Sequence, residues 1–217
     1  MSLRKCIALA ASLVTLAFGA YAQGQQPPYA TLTPPQPVEG GGKIEVIEFF
    51  WYGCPHCYHL EPEINAWLKS APADVVFKRV PAVPNSAWAA NASLYYTLEA
   101  MGLTERLHSK VFDAIHKENI NLTTPKTRDE WLAKNGVDVA KFTEMEKSFS
   151  VSTKLQRARQ LTSAYKVDGV PRIFVNGKYY TAPEFAGPQR TFAVVNELIA
   201  MARKENPASM TPAAGKK

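Results

Sequence analysis

Cys54 and Cys57 enclose Pro55 and His56, and this Cys-x-x-Cys spacing is used both by redox pairs and by zinc sites. An apolar run at 44–50 leads into the pair and predicts a buried strand. Apolar residues at helical spacing follow the pair, namely Leu60, Ile64, Trp67 and Leu68. A strand, a turn, two cysteines and a helix in this order favour the redox pair.

The two cysteines are not equivalent. Cys54 is predicted at the helix N-terminus, where unpaired N–H groups and the helix dipole favour the reactive thiolate. Cys57 lies one turn further on and is expected to be buried, so we assign Cys54 as the exchange-active sulfur. Pro55 suits the first helical turn. His56 adds a dipole or a positive charge that lowers the Cys54 pKa, and a more stable thiolate makes the disulfide a stronger oxidant.

Two segments of the chain carry a family resemblance. The first is the Phe-Phe pair at 49–50 followed by Cys-Pro-His-Cys at 54–57, and the second is Val-Pro at 170–171 followed by Phe-Val-Asn-Gly-Lys-Tyr at 174–179. Together they resemble the DsbA family of thioredoxin-fold oxidases from the bacterial periplasm. The resemblance extends from about residue 29 to about residue 202.

The resemblance implies an α/β fold, namely a thioredoxin fold with an inserted helical subdomain. The residue pattern agrees, since about eighty residues of helical periodicity separate two strand regions. The chain is therefore divided into a signal peptide (1–22), a polar leader with a candidate edge strand (23–42), a discontinuous thioredoxin domain (43–84 and 166–202), a helical subdomain (85–165) and a disordered tail (203–217).

The first residues have the pattern of an export signal. Arg4 and Lys5 precede an apolar stretch at 6–18, and Ala-Tyr-Ala at 20–22 offers a cleavage site. Cleavage would remove Cys6, one of 3 cysteines, and leave Cys54–Cys57 as the single redox-active disulfide. We expect a periplasmic protein, with an uncleaved membrane anchor as the alternative.

Glu48 is the exception in a strand predicted from Lys43 to Trp51. A carboxylate in such a run is costly unless it has a partner or a function. One interpretation places Glu48 at a strand edge facing solvent. The other, which matches the acidic residue at this position in the family, makes it a buried acid that helps to move the proton of Cys57. Lys78 in the next strand is the candidate counter-charge, which would lower the Glu48 pKa while burial raises it.

Val170 and Pro171 enter the second strand region. Pro171 is either an ordinary edge proline or the second residue of a cis bond, which is typical of a turn. In the thioredoxin fold this loop faces the cysteine pair, so the Val170 backbone would bind an extended client segment by strand addition. Asn-Gly at 176–177 predicts a two-residue hairpin, with the returning strand at 178–181.

The function predicted is a periplasmic thiol oxidase that donates the Cys54–Cys57 disulfide to exported proteins with free thiols. The exchange step needs no cofactor and no metal. The family implies a quinone-linked membrane reoxidant of the DsbB type. The leader at 23–42 is too short for the dimerisation domain of related isomerases, so we expect a monomer.

Three other functions fit parts of the pattern. A reductase or isomerase would use the same fold with a less acidic Cys54. A zinc or copper module would use Cys54 and Cys57 with His56 or His59, although a closed zinc site needs four ligands. A chaperone would bind unfolded chains without exchange. The formal charge is +6, but the basic residues do not form a stripe in which aromatic residues alternate with them, so nucleic acid is not an expected partner.

The sequence departs from the family pattern in two places. Trp-Tyr-Gly at 51–53 replaces a more uniformly apolar lead-in, and Arg172 follows the proline where a small residue is expected. Both lie beside the proposed client surface, so the client range is the property that they affect most.

Overall fold

The computed structural model describes residues 27–205. The predicted signal peptide at 1–22, the leader before residue 27 and the predicted tail after residue 205 lie outside this range. The prediction of disorder is wrong for 203–205, because these residues belong to the helix at Thr191–Glu205.

Five strands form one mixed sheet. They are β1 (Ala30–Thr31), β2 (Ile44–Phe50), β3 (Val75–Pro81), β4 (Arg172–Val175) and β5 (Tyr179–Thr181). Their spatial order is β1-β5-β4-β2-β3, so β1 and β3 form the two edges. Strands β2 and β3 are parallel, and every other neighbouring pair is antiparallel. The parallel register places Glu48 opposite Arg79 and Ile47 opposite Lys78.

The described residues contain eight α-helices, with a 3₁₀ turn at Pro188–Arg190 before the last. They are α1 (Pro55–Leu68), α2 (Ser86–Ala100), α3 (Thr104–His116), α4 (Pro125–Lys134), α5 (Val139–Glu146), α6 (Phe149–Ala164), α7 (Pro183–Ala186) and α8 (Thr191–Glu205). Helices α2 to α6 follow one another between β3 and β4.

Two apolar clusters hold the sheet between its helices. In the first, Ile64 of α1 and Leu198 of α8 pack against Val46 of the central strand. In the second, helices α2 to α6 pack with Phe49 and Phe174 from the neighbouring strands. This architecture is the predicted α/β thioredoxin fold with inserted helices. The exact division into 43–84, 85–165 and 166–202 stays a prediction, because the second cluster is shared by the sheet and the inserted helices.

The first central strand is one residue shorter at each end than predicted. The hairpin turn and the edge strand agree with their sequence signals. Asn176 and Gly177 have φ values of 51° and 66°, which is the left-handed conformation that a type I′ hairpin turn requires. The candidate edge strand in the leader is confirmed as β1, which pairs with the returning hairpin strand.

One helix start differs from its sequence signal. Thr127 and Glu130 have the spacing of a capping box, which would make Thr127 the N-cap, yet the N-cap of α4 is Thr124, three residues earlier, and the helix begins at Pro125. Proline is favoured at the first helical position because its missing N–H costs nothing there. Within residues 27–205, no helix has the length and apolar character needed to cross a membrane.

Candidate active site

The cysteine pair lies where the central strand passes into α1. The strand ends at Phe50, a turn at 51–53 follows, and Cys54 is the N-cap residue of the helix. Pro55 occupies the first helical position as predicted. Cys57 is one turn inside the helix and fully buried, whereas Cys54 is 8 % exposed. The predicted order of accessibility is therefore present in the structure.

Hydrogen bonds to Cys54 favour its thiolate. The pKa of the Cys54 thiol is lowered from 9.0 to about 6, chiefly by a hydrogen bond from the Cys57 side chain. Burial opposes this shift, while the backbone N–H groups of Cys57 and His56 add to it. The charge of His56 makes the smallest of these contributions. Most of the acidity thus comes from the helix start and the second cysteine, with His56 in a minor role.

Cys57 has the opposite protonation preference. Burial raises the pKa of its thiol well above the usual value, and the hydrogen bond to Cys54 and the nearby charge of Glu48 raise it further. Both cysteines are present here as free thiols. At neutral pH the reduced pair therefore holds a thiolate at Cys54 and a thiol at Cys57.

The loop before β4 faces the more exposed sulfur. The Val170–Pro171 peptide bond is cis. The Cys54 sulfur lies 3.3 Å from the Val170 carbonyl oxygen, across 116 positions of sequence, and in its thiol form it donates a hydrogen bond to that oxygen. The structure thus brings together Cys54, Val170 and Pro171 as the sequence predicted.

Glu48 is fully buried, in agreement with the second interpretation of its position. Its predicted partner Lys78 is wrong. The Lys78 ammonium lies 2.5 Å from Glu45, and the Arg79 Nε lies 3.2 Å from Glu48 Oε2. The reason is the parallel register, which pairs Glu48 with Arg79, together with the alternation of side chains between the two faces of a sheet.

Burial dominates the protonation of Glu48. It raises the pKa of this carboxyl to about 8, against the lowering effect of the Arg79 charge. The contact with Arg79 is close enough for an ion pair but is not aligned as a hydrogen bond. Glu48 is therefore mostly protonated at neutral pH, beside a cysteine whose pKa it raises.

Three further side chains continue this buried cluster, and sequence reasoning missed them. Glu61 on α1 accepts hydrogen bonds from Arg79 at 3.2–3.3 Å and lies 3.1 Å from His108 Nε2. His108 Nδ1 lies 2.8 Å from the Tyr52 hydroxyl. Burial lowers the pKa of His108, so a neutral ring with its proton on Nε2 satisfies both contacts. Glu61 could have been found from the sequence, because it places a carboxylate next to Leu60 on the apolar face of the predicted helix.

Within residues 27–205, no three His, Cys, Asp or Glu side chains are grouped as metal ligands would be. The arrangement supports exchange of thiols and disulfides, in which Cys54 is attacked and Cys57 closes the disulfide.

Comparison with known proteins points to one family. Residues 45–198 match the family model described as a DSBA-like thioredoxin domain. The chain is 45 % identical over 176 residues to the thiol:disulfide interchange protein DsbA of Azotobacter vinelandii, covering 81 % of this chain and 82 % of that protein. It is 46 % identical over 204 residues to the protein of the same name from Bordetella parapertussis, covering 92 % and 97 %.

Solved structures agree. The crystal structure of Pseudomonas aeruginosa DsbA matches with a TM-score of 0.78 at 43 % identity, covering 82 % of this chain and 94 % of that one. A reduced DsbA of Neisseria meningitidis matches with a TM-score of 0.74 at 30 % identity, covering 86 % and 97 %.

Proposed function

The chain belongs to the DsbA family of thiol:disulfide oxidoreductases, and from this membership we propose that it is an oxidase that donates the Cys54–Cys57 disulfide to other proteins. The observation that carries the proposal is the position of Cys54 at the start of α1, with the buried Cys57 one turn further on and the Val170 carbonyl 3.3 Å from the Cys54 sulfur. This position lowers the pKa of Cys54, and a stable thiolate in the reduced pair makes the disulfide form oxidising.

The proposed reaction has two exchanges. A client thiolate attacks the Cys54 sulfur of the disulfide, the S–S bond breaks, and Cys57 leaves and takes up a proton. A second client thiolate then attacks the client sulfur of the mixed disulfide, and Cys54 leaves as a thiolate. The client loses two electrons and two thiol protons. The pair gains the two electrons and keeps one proton, on Cys57.

We assign Glu48 as the group that moves the Cys57 proton. With a pKa of about 8, Glu48 carries a proton at neutral pH that it can give to the departing Cys57 thiolate. Arg79 then faces the carboxylate that remains, while the nearby charge of Glu61 opposes its ionisation. His56 has a supporting role in lowering the Cys54 pKa, and Pro55 starts the helix whose first N–H groups add to the larger effect of the Cys57 side chain.

Val170 and Pro171 are the proposed client-binding residues. The Val170 carbonyl is within hydrogen-bonding distance of Cys54, so a client segment lying along this loop brings its cysteine to the sulfur. Main-chain recognition of this kind suits an enzyme with many clients, because it does not depend on client side chains.

We further propose that the protein is exported to the periplasm, works as a monomer and is reoxidised by a quinone-linked membrane protein of the DsbB type. The family supports these assignments. N-terminal sequencing of the protein from a periplasmic extract tests cleavage after residue 22. Light scattering tests the monomer, and reoxidation by membranes with and without quinone tests the partner.

The first experiment is equilibration of the Cys54–Cys57 pair with glutathione buffers. An oxidase is expected near roughly −120 mV, the value of the DsbA family. A value near roughly −270 mV, as in thioredoxin, would overturn the oxidase assignment and indicate a reductase.

A further inference from the structure

A cavity of about 310 Å³ lies beside the active-site turn. Trp51, Gly53 and Asn91 line one part of it, and Ile115 with residues 119–123 supplies the rest. Gly53 directly precedes Cys54, so anything covalently attached to Cys54 passes close to the cavity. Among the described residues that line it, none has an ionisable side chain.

The Trp51 ring is fixed in place. It stacks on Trp88 of α2 with ring centres 4.3 Å apart and planes 11° from parallel. It also occupies the space that a Cβ atom at position 53 would need, so Gly53 is the residue that fits there. The Trp51 Nε1 is buried and has no hydrogen-bond partner within residues 27–205.

Asn91 provides the complementary group. It lies inside α2 and is only 3 % exposed. Its Oδ1 atom is buried and likewise has no partner in the described part of the chain. A buried polar atom without a partner is costly, and leucine has a similar volume without that cost. Folding therefore does not account for the amide at this position.

We propose that this cavity binds one peptide group of the client chain, next to the client cysteine. The Trp51 Nε1–H donates to the client carbonyl oxygen, and the Asn91 Oδ1 accepts from a client N–H. This inference rests on the proposed function, and it adds a second main-chain contact to the one at Val170.

The chemistry of the lining favours a peptide over other ligands. The two buried atoms without a partner, one donor and one acceptor, match the C=O and N–H of a peptide unit. A phosphate or a carboxylate would need a cationic side chain to offset its burial, and the lining offers none. The departure of residues 51–53 from the family pattern thereby acquires a role, since Trp51 provides the donor and Gly53 makes room for its ring.

The test compares a peptide client with a small thiol. Oxidation of a peptide that carries two cysteines and uncharged flanking residues is measured beside oxidation of dithiothreitol, which has no peptide group. Trp51→Phe keeps an aromatic ring but removes the Nε1–H donor, and Asn91→Leu removes the Oδ1 acceptor. Thr97→Val is the matched control, because Thr97 is buried in the same helix and bonds within it, to the Ser93 carbonyl.

Each of the two variants is expected to lower the ratio of peptide to dithiothreitol kcat/KM by about 5-fold, through KM, while Thr97→Val leaves the ratio unchanged. In a set of peptides that are each N-methylated at a different backbone position, one member should lack the N–H that Asn91 accepts. Its kcat/KM with the wild type should be about 5-fold lower than that of the unmethylated peptide, and the methylation should cause no further loss with Asn91→Leu.

An unchanged ratio in both variants, or an equal fall for both thiols, would overturn the proposal, because a merely structural role affects both reactions alike. Failure of the oxidase proposal looks different, since wild-type protein would then oxidise neither thiol. In that case the ratio of kcat/KM values is measured for the reduction of a peptide disulfide and of oxidised dithiothreitol. A lowered ratio in the two variants supports the proposal, and an unchanged ratio overturns it.

Discussion

Cys54 and Cys57 lie one turn apart on α1, and their surroundings move their pKa values in opposite directions. Cys54 is at the open end of the helix, where N–H groups and the second thiol lower its pKa to about 6. Cys57 is enclosed, and burial together with the hydrogen bond to Cys54 raises its pKa. The helix start alone would favour thiolates. The difference shows that burial and the neighbouring Cys54 decide the protonation of the inner sulfur.

Substitution of each cysteine separates the two sides most clearly. Cys54→Ser and Cys57→Ser should each lower client oxidation by roughly 10³-fold or more, because the disulfide is lost. Cys57→Ser should still form a stable adduct with oxidised glutathione at Cys54, since no inner thiol displaces it. Mass spectrometry of both variants detects the adduct. Equal adduct formation at Cys57 in Cys54→Ser would contradict the assignment of roles.

The second prediction concerns the charge cluster on the closed side. Arg79→Met should lower the free energy of unfolding by about 3–5 kcal/mol, because it leaves the Glu61 carboxylate buried without this counter-charge. Lys154→Met is the control. Its ammonium and the Glu99 carboxylate with which it pairs are 43 % and 36 % exposed, so a loss of only about 1 kcal/mol is expected. Urea unfolding of the reduced proteins measures both, and equal losses would contradict the distinction between the two pairs.

The third prediction follows from the raised pKa of Glu48. The folded protein holds this proton up to pH about 8, whereas the unfolded chain releases it near 4.5. Glu48 therefore stabilises the fold fully below pH 4.5, and this contribution is lost as the pH rises towards 8. The slope is at most about 1.4 kcal/mol per pH unit.

Unfolding in urea between pH 5 and 8 tests this slope, relative to Glu48→Gln. Both proteins also carry Cys54→Ser. The lowered pKa of Cys54 changes the free energy of unfolding with pH in the opposite direction, because its stabilisation is lost as pH falls through about 6, and the substitution removes this contribution. Parallel stability curves for the two proteins would contradict a protonated Glu48.

The smallest effect concerns the sources of the Cys54 acidity. Ultraviolet absorbance of the thiolate should give a midpoint near pH 6 for the reduced wild type. Cys57→Ala should raise this midpoint more than His56→Ala does, because the hydrogen bond from Cys57 is the largest cause and the His56 charge the smallest. His59→Ala, an exposed histidine on the same helix, serves as the control. A larger shift in His56→Ala would reverse the order of causes.

The open side of the site was predictable because its signals are local. The position of Cys54 at the helix start follows from strand, turn and helix signals within about twenty residues. Glu48 was predictable as a buried acid because it interrupts an apolar run. The contact between Cys54 and Val170 spans 116 positions, and it came from the family resemblance and not from spacing.

The closed side depends on register and on distant packing. Lys78 and Arg79 are equally good counter-charges in the sequence, and a shift of one residue moves a side chain to the other face of the sheet. Glu61 and His108 meet across 47 positions, through the packing of α1 on α3. Helical periodicity predicts which face of each helix is buried, but it does not give the partner that the face will meet.

The two edges of the sheet have a consequence for the protein's own solubility. An exposed strand edge offers unpaired N–H and C=O groups to any extended chain, and long flat edges promote aggregation. Here β1 is only two residues long, and β3 carries Lys78 and Arg79 in its middle and ends at Pro81. Short length, charged side chains and proline are features of edge strands that prevent such pairing. If clients bind at Val170 as proposed, the short and charged sheet edges keep the enzyme from becoming a template for client aggregation.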